Sequence, residues 1–186
     1  MYDDPLSIIW IGAARQLGYR VARSDSVFAS FDGKQTLIIS TAEYFDGDDN
    51  LGQMIFHELC HALVAGAEGR RRADWGLENV DYRDLLQEHA TNRLQAALAA
   101  PYRLRRFMAT TTEFRRYYDA LPDDPLATSD DPAIDLARGA ANEAAAEPWS
   151  SVLRAALLAT RALADAVIPF ADVDSLWMNA KERSTR

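Results

Sequence analysis

Five consecutive residues, His57-Glu58-Leu59-Cys60-His61, combine the side-chain types and the spacing most suited to chemistry in this chain. On an α-helix, positions i and i+4 lie one turn apart on the same face, so the imidazoles of His57 and His61 can close on a single metal ion. Glu58 follows His57 by about 100° of helix rotation, which sets its carboxylate beside such an ion and not on it. That is the place for a general base acting on a metal-bound water. The chain has only three histidines, and this pattern uses two of them. The competing explanation is a pair of core histidines satisfied by hydrogen bonds.

The element that must carry the pattern is the apolar run 53–66, which predicts a largely buried helix stopped at Gly66, a natural C′ residue. A buried helix bearing two imidazoles and a carboxylate needs a reason for them, because unpaired polar groups in a core are costly. Metal binding supplies one, and a catalytic site of this kind needs a third protein ligand. The next helix, expected over 81–100 with Asp81 as its N-cap, offers Glu88 and His89. Neighbours on a helix point apart, so only one of them faces the ion. Glu88 is the preferred ligand, giving a two-histidine, one-carboxylate set that serves zinc hydrolysis and ferrous chemistry alike. His89 is the alternative ligand, or else a pocket residue stabilising an oxyanion. Asn92 and Asp84, each one turn from Glu88, could orient it.

Around these helices the expected elements are simple. Pro5 opens a first helix whose stripe of Ile8, Ile9, Trp10, Ile11, Ala14 and Leu17 ends at Gly18. Short strands follow at 19–23, 27–31 and 35–40, with Asp32-Gly33 as a two-residue hairpin signal. The strand 36–40 is either a core strand or a sheet edge able to pair with an extended substrate. The acidic stretch 46–50 lacks calcium-loop spacing and suits a turn with Asp49 or Asn50 as helix N-cap. Beyond Pro101, helices are expected over 102–121, 135–146 and 149–168, with a loop at 121–132 and a frayed tail. The sum is an α+β single domain: a small sheet packed on the central motif helix, a zincin-like core over 1–100 and a helical extension over 101–186.

Composition narrows the function classes. With 186 residues, 48% apolar and 26% charged, the chain has the make-up of a soluble globular protein with a real core. Its net charge of -8 disfavours general nucleic-acid and anionic-membrane binding. Cys60 is the single cysteine, which rules out an internal disulfide and fits a reducing compartment. It reads as a small core residue. The opening residues lack a basic stretch and no apolar run reaches membrane-spanning length, so a cytoplasmic protein is expected. Arg70, Arg71 and Arg72 could clamp an anion but read first as solvated loop charges, and Trp75-Gly76 as fixing the loop path. Arg103, Arg105, Arg106, Arg115 and Arg116 form a basic cluster that is a solvated helix face or a dock for an acidic partner.

The motif helix followed by a glutamate on a later helix resembles the gluzincin metallopeptidases. Over a longer stretch, His57-Glu58-Leu59-Cys60-His61 with Ala65-Gly66, Arg70-Arg71 and Asp74-Trp75-Gly76 is similar to the elongation factor P hydroxylase family. The first resemblance implies Zn2+ and a peptide substrate; the second implies a redox metal such as Fe2+ in a gluzincin-like site. Both imply His57, His61 and Glu88 as ligands and Glu58 as the polar group beside the ion. The leading expectation is a zinc-dependent hydrolase acting on a peptide or protein, with an iron hydroxylase and a non-catalytic metal-binding or interaction protein as alternatives.

Overall fold

A computed structural model of the chain describes residues 3–77 and 82–181. Helix α1 (Pro5–Gln16) starts where proline's missing N–H costs nothing, and the Asp4 carboxylate caps it by accepting from the Ser7 amide at 2.8 Å. It stops before Gly18, which turns the chain at φ +89. Leu6, Trp10, Ala13 and Ala14 form its buried face.

Three strands follow: β1 (Arg20–Ser24), β2 (Ala29–Phe31) and β3 (Thr36–Ser40). β3 is the middle strand, parallel to β1 and antiparallel to β2. The option of β3 as a substrate-pairing edge is therefore corrected, and its reading as a core strand holds: both of its hydrogen-bonding edges are taken, and β1 and β2 are the edge strands. The two-residue hairpin expectation is corrected as well. Asp32 donates its N–H to Thr36 O at 3.1 Å, so three residues, 33–35, form the loop. One carboxylate oxygen of Asp32 accepts from the amides of Lys34, Gln35 and Thr36, which makes this longer turn the stable one.

Helix α2 (Leu51–Gly69) carries the motif. Asn50 is its N-cap, accepting from the Gln53 amide at 2.8 Å, and Gly66 breaks the helical path at φ +63 before a last turn. Asp49 is used differently, accepting from Thr111 Oγ1 at 2.5 Å and from the Asp46 amide at 2.8 Å. α2 is buried on nearly every side, as its apolar run predicts. Gly52 is required where α1 crosses: a Cβ there would lie 2.7 Å from the Trp10 ring.

Helix α3 (Tyr82–Ala99) crosses α2 and is followed by short α4 (Arg115–Asp119), α5 (Ala133–Ala144) and α6 (Trp149–Val167). The proposed capping residue Asp81 and residues 182–186 of the tail lie outside the described residues, while the frayed tail expected after Phe170 is corrected up to there: Leu176–Ala180 form a 3-10 turn whose Ala180 is buried and accepts from Arg161. The expected helix over 102–121 is corrected: apart from α4 and short 3-10 turns, this stretch is irregular. Pro101 interrupts the helical hydrogen bonds, Arg103 adopts a left-handed φ of +58, and three β-branched threonines, 110–112, disfavour recovery. α5 and α6 match their expected positions, with a loop before α5. The fold is α+β, with an N-terminal three-stranded mixed sheet, six α-helices among the described residues, and the motif helix at the centre. No described helix is long and apolar enough to cross a membrane.

Candidate metal centre

The crossing of α2 and α3 brings three side chains to one point. His57 and His61 come from one face of α2, and Glu88 comes from the first half of α3. His61 Nε2 lies 3.0 Å from His57 Nε2 and 3.4 Å from Glu88 Oε1, while His57 Nε2 is 3.9 Å from Glu88 Oε2. All three ligand atoms fall within 4.8 Å of one another. Ligands about 2.0–2.1 Å from a shared tetrahedral ion stand roughly 3.3 Å apart, so these separations match a common ion.

The protonation states also match. Burial, followed by the neighbouring His61, lowers the His57 pKa to about 4, and burial lowers that of His61 to about 4. Both rings are therefore neutral near pH 7, the form that binds metals, and their approaches to Glu88 are not ion pairs. The tautomer of His57 is fixed from behind. Gln95 Nε2 donates to Met108 O at 2.6 Å, which leaves Gln95 Oε1 to accept from His57 Nδ1 at 2.7 Å and turns the bare Nε2 toward Glu88. His61 Nδ1 lies 3.2 Å from Thr91 Oγ1, a hydroxyl able to accept its proton and leave Nε2 bare. Glu88 Oε2 is buried without a hydrogen-bond partner, a costly condition that a cation would relieve. Burial also raises the Glu88 pKa.

Glu58 lines the same cavity, of about 210 Å³, whose other walls include Phe28, Gln53, Met54, Thr110, Thr111 and Phe114. Glu58 is 6% exposed, and burial pushes its carboxyl pKa to about 7 against the lowering effect of a hydrogen bond from the Trp75 indole at 2.8 Å. A carboxylate so placed can exchange a proton near neutral pH.

Of the residues singled out from sequence, His57, Glu58, His61 and Glu88 meet in this cavity, and His89 does not line it. The His89 ring stacks on Tyr117 at 3.7 Å and 5°. Asn92 donates to the backbone carbonyl of Glu88 at 2.8 Å and not to its carboxylate. Cys60 is fully buried in the core, and burial raises its thiol pKa. Arg70 pairs with Glu143 at 2.6 Å, Arg71 is exposed near Glu68, and none of Arg70, Arg71 and Arg72 lines the cavity. Arg105 donates to the carbonyls of Leu121 and Pro122, and Arg115 pairs with Asp119 at 3.0 Å and Asp48 at 3.6 Å, so part of the basic cluster is spent inside the chain.

Sequence reasoning missed Thr91 and Gln95, and it read Trp75 as fixing the loop path without foreseeing its contact with Glu58. A signal existed for the first two: Glu88, Thr91 and Gln95 stand at i, i+3 and i+7, a polar stripe on a helix face that is buried at Thr91 and Gln95. The contact of Trp75 with Glu58 had no local signal, since only the folded loop brings the two together.

No family model, no curated protein and no solved structure matches the chain. The likenesses to gluzincins and to elongation factor P hydroxylases therefore rest on the motif residues themselves.

Proposed function

We propose that this chain is a mononuclear metal-dependent enzyme, with His57, His61 and Glu88 as ligands, acting as a zinc-dependent hydrolase on a peptide or protein. The observation that carries this reading is the convergence of two neutral imidazoles and a partnerless buried carboxylate, with Glu58 in the same cavity. Zn2+ suits two nitrogens and a carboxylate oxygen with a position left open. When bound, the ion supplies Lewis acidity and brings the pKa of water down to about 7. Glu58 takes the proton given up at the start of the reaction and returns it to the leaving group. Gln95 and Thr91 hold the two rings in register.

The test is cleavage of a quenched fluorogenic peptide pool by protein loaded with Zn2+. Glu58→Gln is expected to keep the metal and lose turnover by a factor on the order of 10² to 10⁴. Full turnover in Glu58→Gln contradicts the assignment of Glu58.

A second reading has one observation in its favour. The stretch that resembles the elongation factor P hydroxylases folds back onto the motif, where Trp75 donates to Glu58. On that reading the same three ligands hold Fe2+ and a protein substrate gains one oxygen atom. An oxygen-dependent mass increase of one oxygen atom on a protein substrate would select it over hydrolysis.

A further inference from the structure

The loop after α2 is built around Trp75, and its construction is directed at Glu58. Asp74, Trp75 and Gly76 take successive positive φ values of 48, 59 and 83°, a costly path for the two residues that are not glycine. Contacts on every side hold that path. The Asp74 carboxylate accepts from Ser30 Oγ at 2.7 Å and from the Phe31 amide at 2.9 Å, tying the loop to the outer edge of β2. The Trp75 ring stacks on Phe31 at 3.8 Å and 4°, with Tyr19 against it edge-on at 6.0 Å. Gly69 leaves room for the Trp75 carbonyl, which would lie 3.0 Å from any Cβ there. The result is a buried indole N–H aimed at Glu58 Oε2 from 2.8 Å.

We propose that Trp75 is the positioning residue for Glu58: its indole N–H fixes one carboxylate oxygen and leaves the other free to take a proton in the metal cavity. This deepens the reading of Glu58 as the proton acceptor and rests on it. An indole is a donor only, with no proton to give up or lone pair to offer in this range of pH. It can orient a carboxylate without competing for the proton that the carboxylate receives. The other Glu58 oxygen has no partner among the described residues, and Glu58 borders the cavity, so the two oxygens are divided between anchoring and chemistry. A glutamate has three rotatable side-chain bonds, and a base displaced by about 1 Å loses on the order of 100-fold in rate. That is the error the tether prevents.

Trp75→Phe keeps a ring to stack on Phe31 and removes the donor. In the zinc-loaded protein, with one fluorogenic peptide that the native protein cleaves, this variant is expected to lower kcat about 10- to 100-fold with KM and zinc affinity unchanged. Wild-type kcat in a folded Trp75→Phe protein overturns the positioning role, and so does a rise in KM alone. A second measurement needs neither metal nor turnover and covers failure of Trp75→Phe to fold. The four tryptophans give four indole N–H signals in a nitrogen–proton correlation spectrum, and that of Trp75 is expected downfield and to move upfield in Glu58→Gln. An indole signal indifferent to Glu58→Gln overturns the tether. If the signal responds but the native zinc protein cleaves nothing in the pool, the tether stands and the hydrolase reading falls.

Discussion

At the scale of residues, the centre depends on a few groups whose roles separate cleanly. In the proposed centre His57, His61 and Glu88 offer the ligand atoms, while Gln95 and Thr91 stand behind the rings. Gln95→Leu leaves the three ligands in place but releases the His57 tautomer. It is expected to weaken zinc binding about 10- to 100-fold, measured by competition with a chromophoric chelator. His57→Ala removes a ligand and is expected to cost far more. Equal affinity in Gln95→Leu and the native protein would show that the amide does not orient the ring. Much of this was legible in the sequence. The His57-to-His61 spacing announces a helical pair, and Glu88 is the carboxylate that the next helix can aim at it. Trp75 and the displacement of His89 were not legible: the first depends on a loop path and the second on stacking against Tyr117 from a distant element.

At the scale of elements, the edge strand, the loop after α2 and the motif helix form one connected support. Asp74 joins the loop to β2, and Gly33 in the hairpin turn lets the loop pass close by. Gly33 has φ +73, and a Cβ on it would stand 2.7 Å from the Ala73 amide nitrogen. Gly33→Ala is therefore expected to destabilise the protein by about 1–3 kcal/mol in urea unfolding. Gly47→Ala, in open space without positive φ, is expected to stay near zero and serves as control. Equal midpoints for the two variants would contradict this account of the turn. Local signals were sufficient for α1, the three strands, α2, α5 and α6, because caps, glycines and apolar spacing agree there. They failed between 102 and 121, where apolar and arginine residues alternate at helical spacing but Pro101 and the left-handed Arg103 break the path. They left open which strand is central, because the order β1-β3-β2 is decided by nonlocal pairing.

At the scale of the whole molecule, the buried histidines and Glu58 couple stability to pH with opposite signs. In the folded metal-free protein His57 and His61 titrate near 4 against an ordinary 6.5, so below about pH 6.5 the unfolded chain binds protons that the fold refuses. Their effect lowers stability as pH falls from about 6.5 toward 4. Glu58 titrates near 7 against an ordinary 4.5, so between those values the folded state holds a proton that the unfolded chain has released. Its effect lowers stability as pH rises through that window. Glu88, whose pKa burial also raises, acts with Glu58, and His89, whose pKa burial lowers, acts with the two histidines; with three groups against two, urea midpoints are expected to rise from pH 4.5 to 6. Glu58→Gln should steepen that rise, and a flat profile in both proteins would contradict the assigned protonation states. The N- and C-terminal parts are joined in the core, where the Trp10 indole donates to Thr160 at 3.0 Å from α1 to α6. A ligand that binds only the folded chain therefore raises its melting temperature as a whole. The most direct test of the central claim is a titration of the metal-free chain with Zn2+, and with Fe2+ under anaerobic conditions, followed by calorimetry and thermal unfolding. One equivalent bound with a raised Tm, both lost in Glu88→Ala and His61→Ala, is the predicted result. Absence of binding by either ion, or binding undiminished in Glu88→Ala, would contradict it.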